Sequence, residues 1–169
     1  MSAAGPAETP WQIRRDDLRG PEIRALLEEH LRWMYRVSPP ESVHALDLDA
    51  LRHPGIGFWT LWSGSELAGC GALKRIDAAH AEIKSMRTAD AFLRRGVAAR
   101  MLAHLLEEAR SGGFRRVSLE TGSQPYFEPA RALYRRFGFA ECAPFEGYVE
   151  DPNSVFMTRS VEAEPDARA

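Results

Sequence analysis

The stretch from Glu82 to Ala109 limits what this chain can fold into more than any other. It begins EIKSMRT, the pattern of a short strand. It passes through ADAF into the basic turn LRRG and opens the helical run VAARMLAHLLEEA. Val97, Met101, Leu102, Leu105, Leu106 and Ala109 recur at the three-and-four spacing of one helix face, so that face turns toward a core. A strand entering a helix through a tight basic turn has the layout of an anion site. The first N–H groups of a helix lack an intrahelical partner, and the helix dipole leaves partial positive charge there. Arg94, Arg95 and Arg100 add to that charge. Gly96 lets a ligand approach the backbone closely, and the small Ala98 and Ala99 leave room across the helix start. A phosphate or pyrophosphate is the expected occupant. Taken alone, the segment also fits a plain solvated helix start. It contains neither Gly-x-Gly-x-x-Gly nor Gly-x-x-x-x-Gly-Lys-Ser/Thr, which sets aside two nucleotide-binding signatures.

The remaining pattern places this unit in a mixed sheet. Trp11–Arg15 reads as a strand. Asp16 or Asp17 is a candidate cap for a helix that starts around Pro21 and Glu22 and buries Ile23, Leu26, Leu27, Leu31 and Met34. Val37-Ser38-Pro39-Pro40 breaks it. A second helix is expected from Glu41 or Ser42 to about Leu51. Gly57–Ser63 and Glu66–Arg75 form a hairpin about Ser63-Gly64-Ser65, and Ala81–Thr88 completes a meander. After the long helix, closed by Ser111-Gly112-Gly113, come a strand at Val117–Thr121, a helix at Glu128–Phe137, and strands at Phe139–Ala143 and Ser154–Val161. Strand, helix and returning strand imply one parallel pair in an otherwise antiparallel sheet.

With 169 residues, the simplest organisation is one domain over residues 11–161, with loose ends at 1–10 and 162–169. A hydrophobic fraction of 44% is that of a globular chain, and a net charge of -2 gives no basic field for nucleic acid. No apolar run nears the ~20 residues of a membrane span. The N-terminus does not read as a signal peptide, so a cytoplasmic protein is expected. Cys70 and Cys142 set up neither a disulfide framework nor metal-ligand spacing, and the five histidines show no metal-ligand pairing.

Two motifs in this order resemble the GCN5-related N-acetyltransferase (GNAT) family over roughly Gln12 to Val161. The first is Glu82–Thr88, five residues, then Arg94-Arg95-Gly96-Val97-Ala98. It is similar to the family's central strand and its Arg/Gln-x-x-Gly-x-Gly/Ala acetyl-CoA loop. The second, Ala130–Phe139 (ARALYRRFGF), resembles the family's A-x-x-L-Y-x-x-x-G-F signature. Leu93 stands at the loop's first position and Arg94 where glycine is frequent. Phe127 occupies the place of a frequent Asn. The resemblance implies an α/β fold of mixed α+β type. Its central sheet is mostly antiparallel, with one parallel, splayed strand pair and helices on both faces. It also implies direct transfer of acetyl from acetyl-CoA to an amine, with no metal. Backbone groups of Met86, Arg87 and Thr88 would pair with the pantetheine arm as an added strand would. N–H groups from Arg94 to Ala99, those of Arg95, Gly96, Val97 and Ala98 among them, would hold the pyrophosphate.

Amide formation needs a neutral amine, a donor for the oxyanion and a proton for the departing thiolate. The resemblance assigns the donor to a backbone N–H near Met86. Tyr134, the tyrosine of the helix signature, is the candidate acid; a buried packing tyrosine is the alternative. Glu82 is the candidate base, directly or through water, because a carboxylate in a central strand is costly unless used or paired. Its alternative is a pair with Lys84, which shares its strand face. By the same resemblance the acceptor pocket is expected from the helical N-terminal part. His30, Met34, Ser38, Glu41, Ser42 and His44 are its candidates, and Ser123, Gln124 and Tyr126 lie in a loop that could face it. The run Pro144–Met157 is similar to one in a group of small bacterial acetyltransferases. The expected acceptor is a small-molecule amine, with a protein amine or a non-catalytic acyl-CoA-binding role as rivals and a homodimer as a possible assembly. Cys142 as a nucleophile is disfavoured, since direct transfer needs no acyl-enzyme.

Overall fold

A computed structural model describes residues 10–44 and 47–162. The expected loose ends, apart from Pro10 and Glu162, lie outside them. Seven strands form one sheet in the order β1-β2-β3-β4-β5-β7-β6. They are β1 (Trp11–Arg15), β2 (Ile56–Ser63), β3 (Glu66–Arg75), β4 (His80–Thr88), β5 (Arg116–Gly122), β6 (Ala140–Glu141) and β7 (Ser154–Ser160). Every neighbouring pair is antiparallel except β4–β5.

Helices cover both faces. α3 (Val97–Ser111) and α4 (Glu128–Arg136) lie over one side, where Met101, Leu102, Leu105 and Leu106 meet Ile83, Val117, Leu119 and Met157. α1 (Pro21–Val37) covers the other, packing Ile23, Leu26 and Leu27 against Phe58, Cys70 and Ala72, together with Leu51 of the short α2 (Leu48–Leu51). The odd and even residues of β4 and β5 divide accordingly. Ile83 and Leu119 enter the α3 core, while Glu82, Lys84, Ser118 and Glu120 point to the opposite face.

Two local expectations change. Asp16 and Asp17 do not cap α1. Each accepts from a backbone N–H two residues on, Leu18 and Arg19 respectively, and Gly20 is the cap residue. Asp and Asn side chains readily close such short turns. The expected second helix is two pieces, a 3₁₀ turn at Pro40–Ser42 and α2, whose cap Asp47 accepts from Ala50 N–H. Val43, at φ -93° and ψ 109°, is extended and ends the first piece, and Asp47 starts the second. His80 heads β4 and bonds Ser118 Oγ at 2.6 Å.

The register of β4 against β3 slips between Cys70 and Ala72, so that Ser85 and Met86 both face Gly71. Ser85 has φ of 54°, a left-handed conformation that sequence reasoning did not anticipate. The Cys70 thiol, pushed up to about 12 by burial, donates to the Ser85 carbonyl at 3.2 Å and holds the bulge. A Cβ on Gly71 would come within 2.9 Å of both Leu105 Cδ1 and Met101 Cγ. Gly71→Val is therefore expected to cost about 2 kcal/mol, seen as a lower urea midpoint. An unchanged midpoint contradicts this packing.

Candidate active site

β4 and β5 stay paired for only four residue pairs, from His80↔Arg116 to Ile83↔Leu119. β5 continues alongside β7 as far as Gly122, and β4 follows β3 as far as Thr88. The two parallel strands therefore part beyond Ile83, just where the bulge turns β4. A cavity of about 160 Å³ fills the opening. His30, Met34 and Ser38 wall it from α1 and its end, and Ser42 and His44 from the segment that follows. Phe127, Ala130 and Tyr134 close it from the α4 side.

Its polar half is dense with buried charge. Glu82 is 1% exposed and Lys84 9%. Lys84 Nζ donates to Glu82 Oε2 at 3.3 Å and to Tyr148 Oη at 2.8 Å, while Tyr148 donates to the same carboxylate oxygen at 2.7 Å. Burial, and then the Glu82 charge, raise the Tyr148 phenol, which stays protonated. Glu82 Oε1 is buried and makes no hydrogen bond among the described residues. From β5, Glu120 meets His44 Nδ1; burial raises this carboxyl, offset by His44. Ser42 donates to Asp151 at 2.5 Å, which ties the segment after α1 to the loop before β7.

The Tyr134 phenol lines the apolar half. Burial pushes it up to about 12, above the free phenol, so the group is a held proton donor. Among the described residues its hydroxyl makes no hydrogen bond, which leaves the proton available to a ligand. On the far side of the opening, Met86 lines the cavity and Arg87 and Thr88 continue β4 toward α3. Arg87 pairs with Asp90 at 3.3 Å and lies over the Trp33 ring. In the turn before α3, Arg94 has φ of 60° and Gly96 φ of 88°. None of the N–H groups of residues 94–99 has a backbone partner among the described residues. Left-handed residues followed by a helix start present such donors as an anion-binding concavity. A Cβ at Gly96 would meet nothing within 4 Å, so the approach to the turn is open. Val97 itself is core, at 1% exposure; only its backbone could take part.

The structure thus gathers Tyr134, Glu82, Met86, His30, Met34, Ser38, Ser42 and His44 around one cavity. Glu41 is exposed and off the cavity, because successive residues of a 3₁₀ turn point to different sides and Ser42 takes the inward one. Gln124 does not line it; its amide donates to Val37 and Asn153 and braces the rim. Ser123 bonds Pro152, and Tyr126 stacks on Trp33 outside. Cys142 also lies away from the cavity. Tyr148, Glu120 and Asn153 were missed. Glu120 had the same signal as Glu82, an acid in mid-strand. Tyr148 and Asn153 sit in a loop whose path over the sheet no local pattern describes. Arg131, buried within the α4 signature, donates to the Gly122 and Gln124 carbonyls and fixes the end of β5 against α4. Among the described residues no cluster of His, Cys, Asp and Glu could hold a metal, and no helix is long and apolar enough to cross a membrane.

Residues 23–139 match the model of the acetyltransferase (GNAT) family. The protein named uncharacterized N-acetyltransferase YsnE of Bacillus subtilis is 58% identical over 149 residues, covering 88% of this chain and 99% of the relative. The protein named uncharacterized N-acetyltransferase YedL of Escherichia coli is 49% identical, over 88% of this chain and 93% of its own. Among solved structures, a GNAT family acetyltransferase from Elizabethkingia anophelis with acetyl-CoA bound superposes with a TM-score of 0.66 at 17% identity, over 89% of this chain and 97% of that one. The chain belongs to the acetyltransferase (GNAT) family.

His30 supplies a check on the cavity's polarity. Burial, and then the Arg87 charge, lower it from 6.5 to about 4, so the folded protein holds it neutral. Between those values the unfolded chain binds a proton that the folded one does not, and stability falls as pH falls. His30→Gln is expected to remove about 2 kcal/mol of the loss between pH 6.5 and 4.5, read from urea midpoints. Parallel losses in both proteins contradict the burial of His30.

Proposed function

We propose that this protein transfers acetyl directly from acetyl-CoA to the primary amine of a small molecule. The observation that carries the proposal is the cavity in the parted β4–β5 pair, with a held phenol on one side and paired carboxylates on the other. The donor residues fit acetyl-CoA. Residues 94–99 offer unpartnered N–H groups for the pyrophosphate, and the free stretch of β4 from Met86 to Thr88 offers a strand edge for the pantetheine arm. The thioester then reaches the opening between the strands.

Each residue's task follows from its surroundings. The bulge at Ser85 and Met86 takes β4 out of register, so the Met86 N–H serves the oxyanion. Tyr134 gives its proton to the departing sulfur. The tyrosinate left behind recovers a proton from the amide nitrogen as the intermediate collapses. Glu82 receives the acceptor. Its Oε2 is occupied by Tyr148 and Lys84, and its bare Oε1 is an anionic acceptor that an ammonium group satisfies.

The walls support a compact acceptor. Ser42 bonded to Asp151, and Gln124 bonded to Val37, close the rim around the polar half. A pocket, not an open groove, suits a compact amine over an extended polypeptide.

Free-thiol release from acetyl-CoA tests this, on a panel of putrescine, tyramine, benzylamine, glycine ethyl ester and lysine methyl ester. Amine-dependent release is expected, falling tenfold or more in Tyr134→Phe, at the lower edge of the ~10²–10⁴-fold effect of such groups. Equal rates in both proteins contradict the role of Tyr134. Binding of acetyl-CoA with no release for any amine favours a non-catalytic binding protein, and release only with peptide amines favours a protein acceptor.

A further inference from the structure

The ammonium of the acceptor must lose a proton before its nitrogen can attack. Glu82, the sequence-based candidate for that step, is already committed. A proton on Glu82 would leave the buried Lys84 ammonium without its counter-charge. Tyr148 cannot accept the proton, since its own hydroxyl hydrogen is given to Glu82 and its phenol is raised by burial and that charge. His30 is buried beside Arg87, whose charge opposes a second cation there.

His44 has the opposite surroundings. Its Nδ1 faces the Glu120 carboxylate, and its ring packs tilted against Tyr148 with centroids 5.0 Å apart. An ionised Glu120 accepts the Nδ1 hydrogen, which leaves Nε2 as the nitrogen with the open lone pair. Among the described residues Nε2 makes no hydrogen bond, and His44 lines the same cavity as Glu82 and Tyr134. A carboxylate behind an imidazole fixes the tautomer and stabilises the imidazolium once it forms.

We infer that His44 is the general base of this enzyme and that Glu120 is its positioning residue. The inference rests on the acetyl-transfer reading and adds to it the destination of the proton. The first ammonium proton passes to His44 Nε2, directly or through one water, and from the imidazolium to solvent. The neutral nitrogen then bonds to the acetyl carbon, and the carbon–sulfur bond breaks. Tyr134 protonates the sulfur, and the second proton shed by the new amide nitrogen restores Tyr134. One proton is released per turnover. The groups facing His44 are Glu120 from β5, Tyr148 from the loop over the sheet, Asp151 beyond Ser42, and Glu82 and Lys84 across the cavity on β4.

Two measurements test this. In the first, kcat/KM is followed from pH 6 to 9.5 for wild type, His44→Gln, Glu120→Gln and Glu120→Asp, using the best-acetylated amine of the panel. His44→Gln is expected to fall about 10²-fold at pH 7 and to recover tenfold per pH unit as the amine deprotonates by itself. Glu120→Gln should lose activity in the same pH-dependent way, and Glu120→Asp should regain part of it. Affinity for acetyl-CoA should stay within about twofold. A His44→Gln activity equal to wild type, or a loss equal at every pH, overturns the inference.

The second is ¹⁵N NMR of the histidine rings in the full chain. The expected result is the Nδ1-protonated tautomer for His44, lost in Glu120→Gln; an Nε2-protonated ring overturns the inference. This reading needs no acceptor, so it judges the pair even where His44→Gln fails to fold. If wild type acetylates no amine at all, it is the acetyl-transfer reading that fails, and the tautomer still reports on His44 and Glu120.

Discussion

The short parallel pairing of β4 with β5 is the constraint on which the rest of this molecule depends. Four residue pairs hold it, clamped at the start by His80 against Ser118. Beyond Ile83 each strand stays with its antiparallel neighbour, and the two can only diverge. Divergence of hydrogen-bonded strands exposes backbone groups that need partners. In a folded protein such a gap is stable when side chains, water or a ligand occupy it. Here the chain fills the polar part with Glu82, Lys84, Tyr148 and Glu120 and leaves the remainder open between Met86 and Tyr134.

The packing on both faces serves this gap. α3 rests on β3 and β4 through Met101 and Leu105, leaving no room for a side chain at Gly71. That close approach brings the helix start to the end of β4, so the unpartnered N–H groups of residues 94–99 lie along the same strand that enters the gap. α4 is held against the end of β5 by Arg131, which sets Tyr134 across from Met86. Among the described residues, no long helix covers β5 and β7 on the opposite face. Phe145 and Tyr148 from the loop between β6 and β7 pack there on Phe156, and that packing carries the Tyr148 hydroxyl to Glu82.

The donor half of the site was legible because it is local. A strand, a basic turn with Gly96 and an amphipathic helix lie within thirty residues, and helix termini bind anions wherever they occur. The resemblance of ARALYRRFGF to a family signature placed Tyr134 as well. The strand and helix order followed from periodicity, with most ends shifted by a residue or two and the expected second helix reduced to a 3₁₀ turn and α2. The acceptor half was only partly legible because it is assembled from distant pieces. Ser42 and Asp151 are 109 residues apart in the chain, and Lys84 and Tyr148 are 64. Nothing in Glu41 and Ser42 separates the exposed residue from the inward one until the 3₁₀ turn is known. The bulge at Ser85 leaves no local trace either, since serine has no preference for positive φ.

The central proposal is that acetyl-CoA lies with its pantetheine along β4 beyond Ile83, its pyrophosphate on residues 94–99 and its thioester in the gap beside Tyr134. The most direct measurement is a crystal structure of the protein with acetyl-CoA. The account predicts pyrophosphate oxygens within hydrogen-bond distance of the backbone N–H groups at the start of α3. It also predicts the thioester carbonyl on the Met86 N–H. A ligand bound elsewhere, or a β4–β5 pair that stays closed with the ligand present, would contradict it.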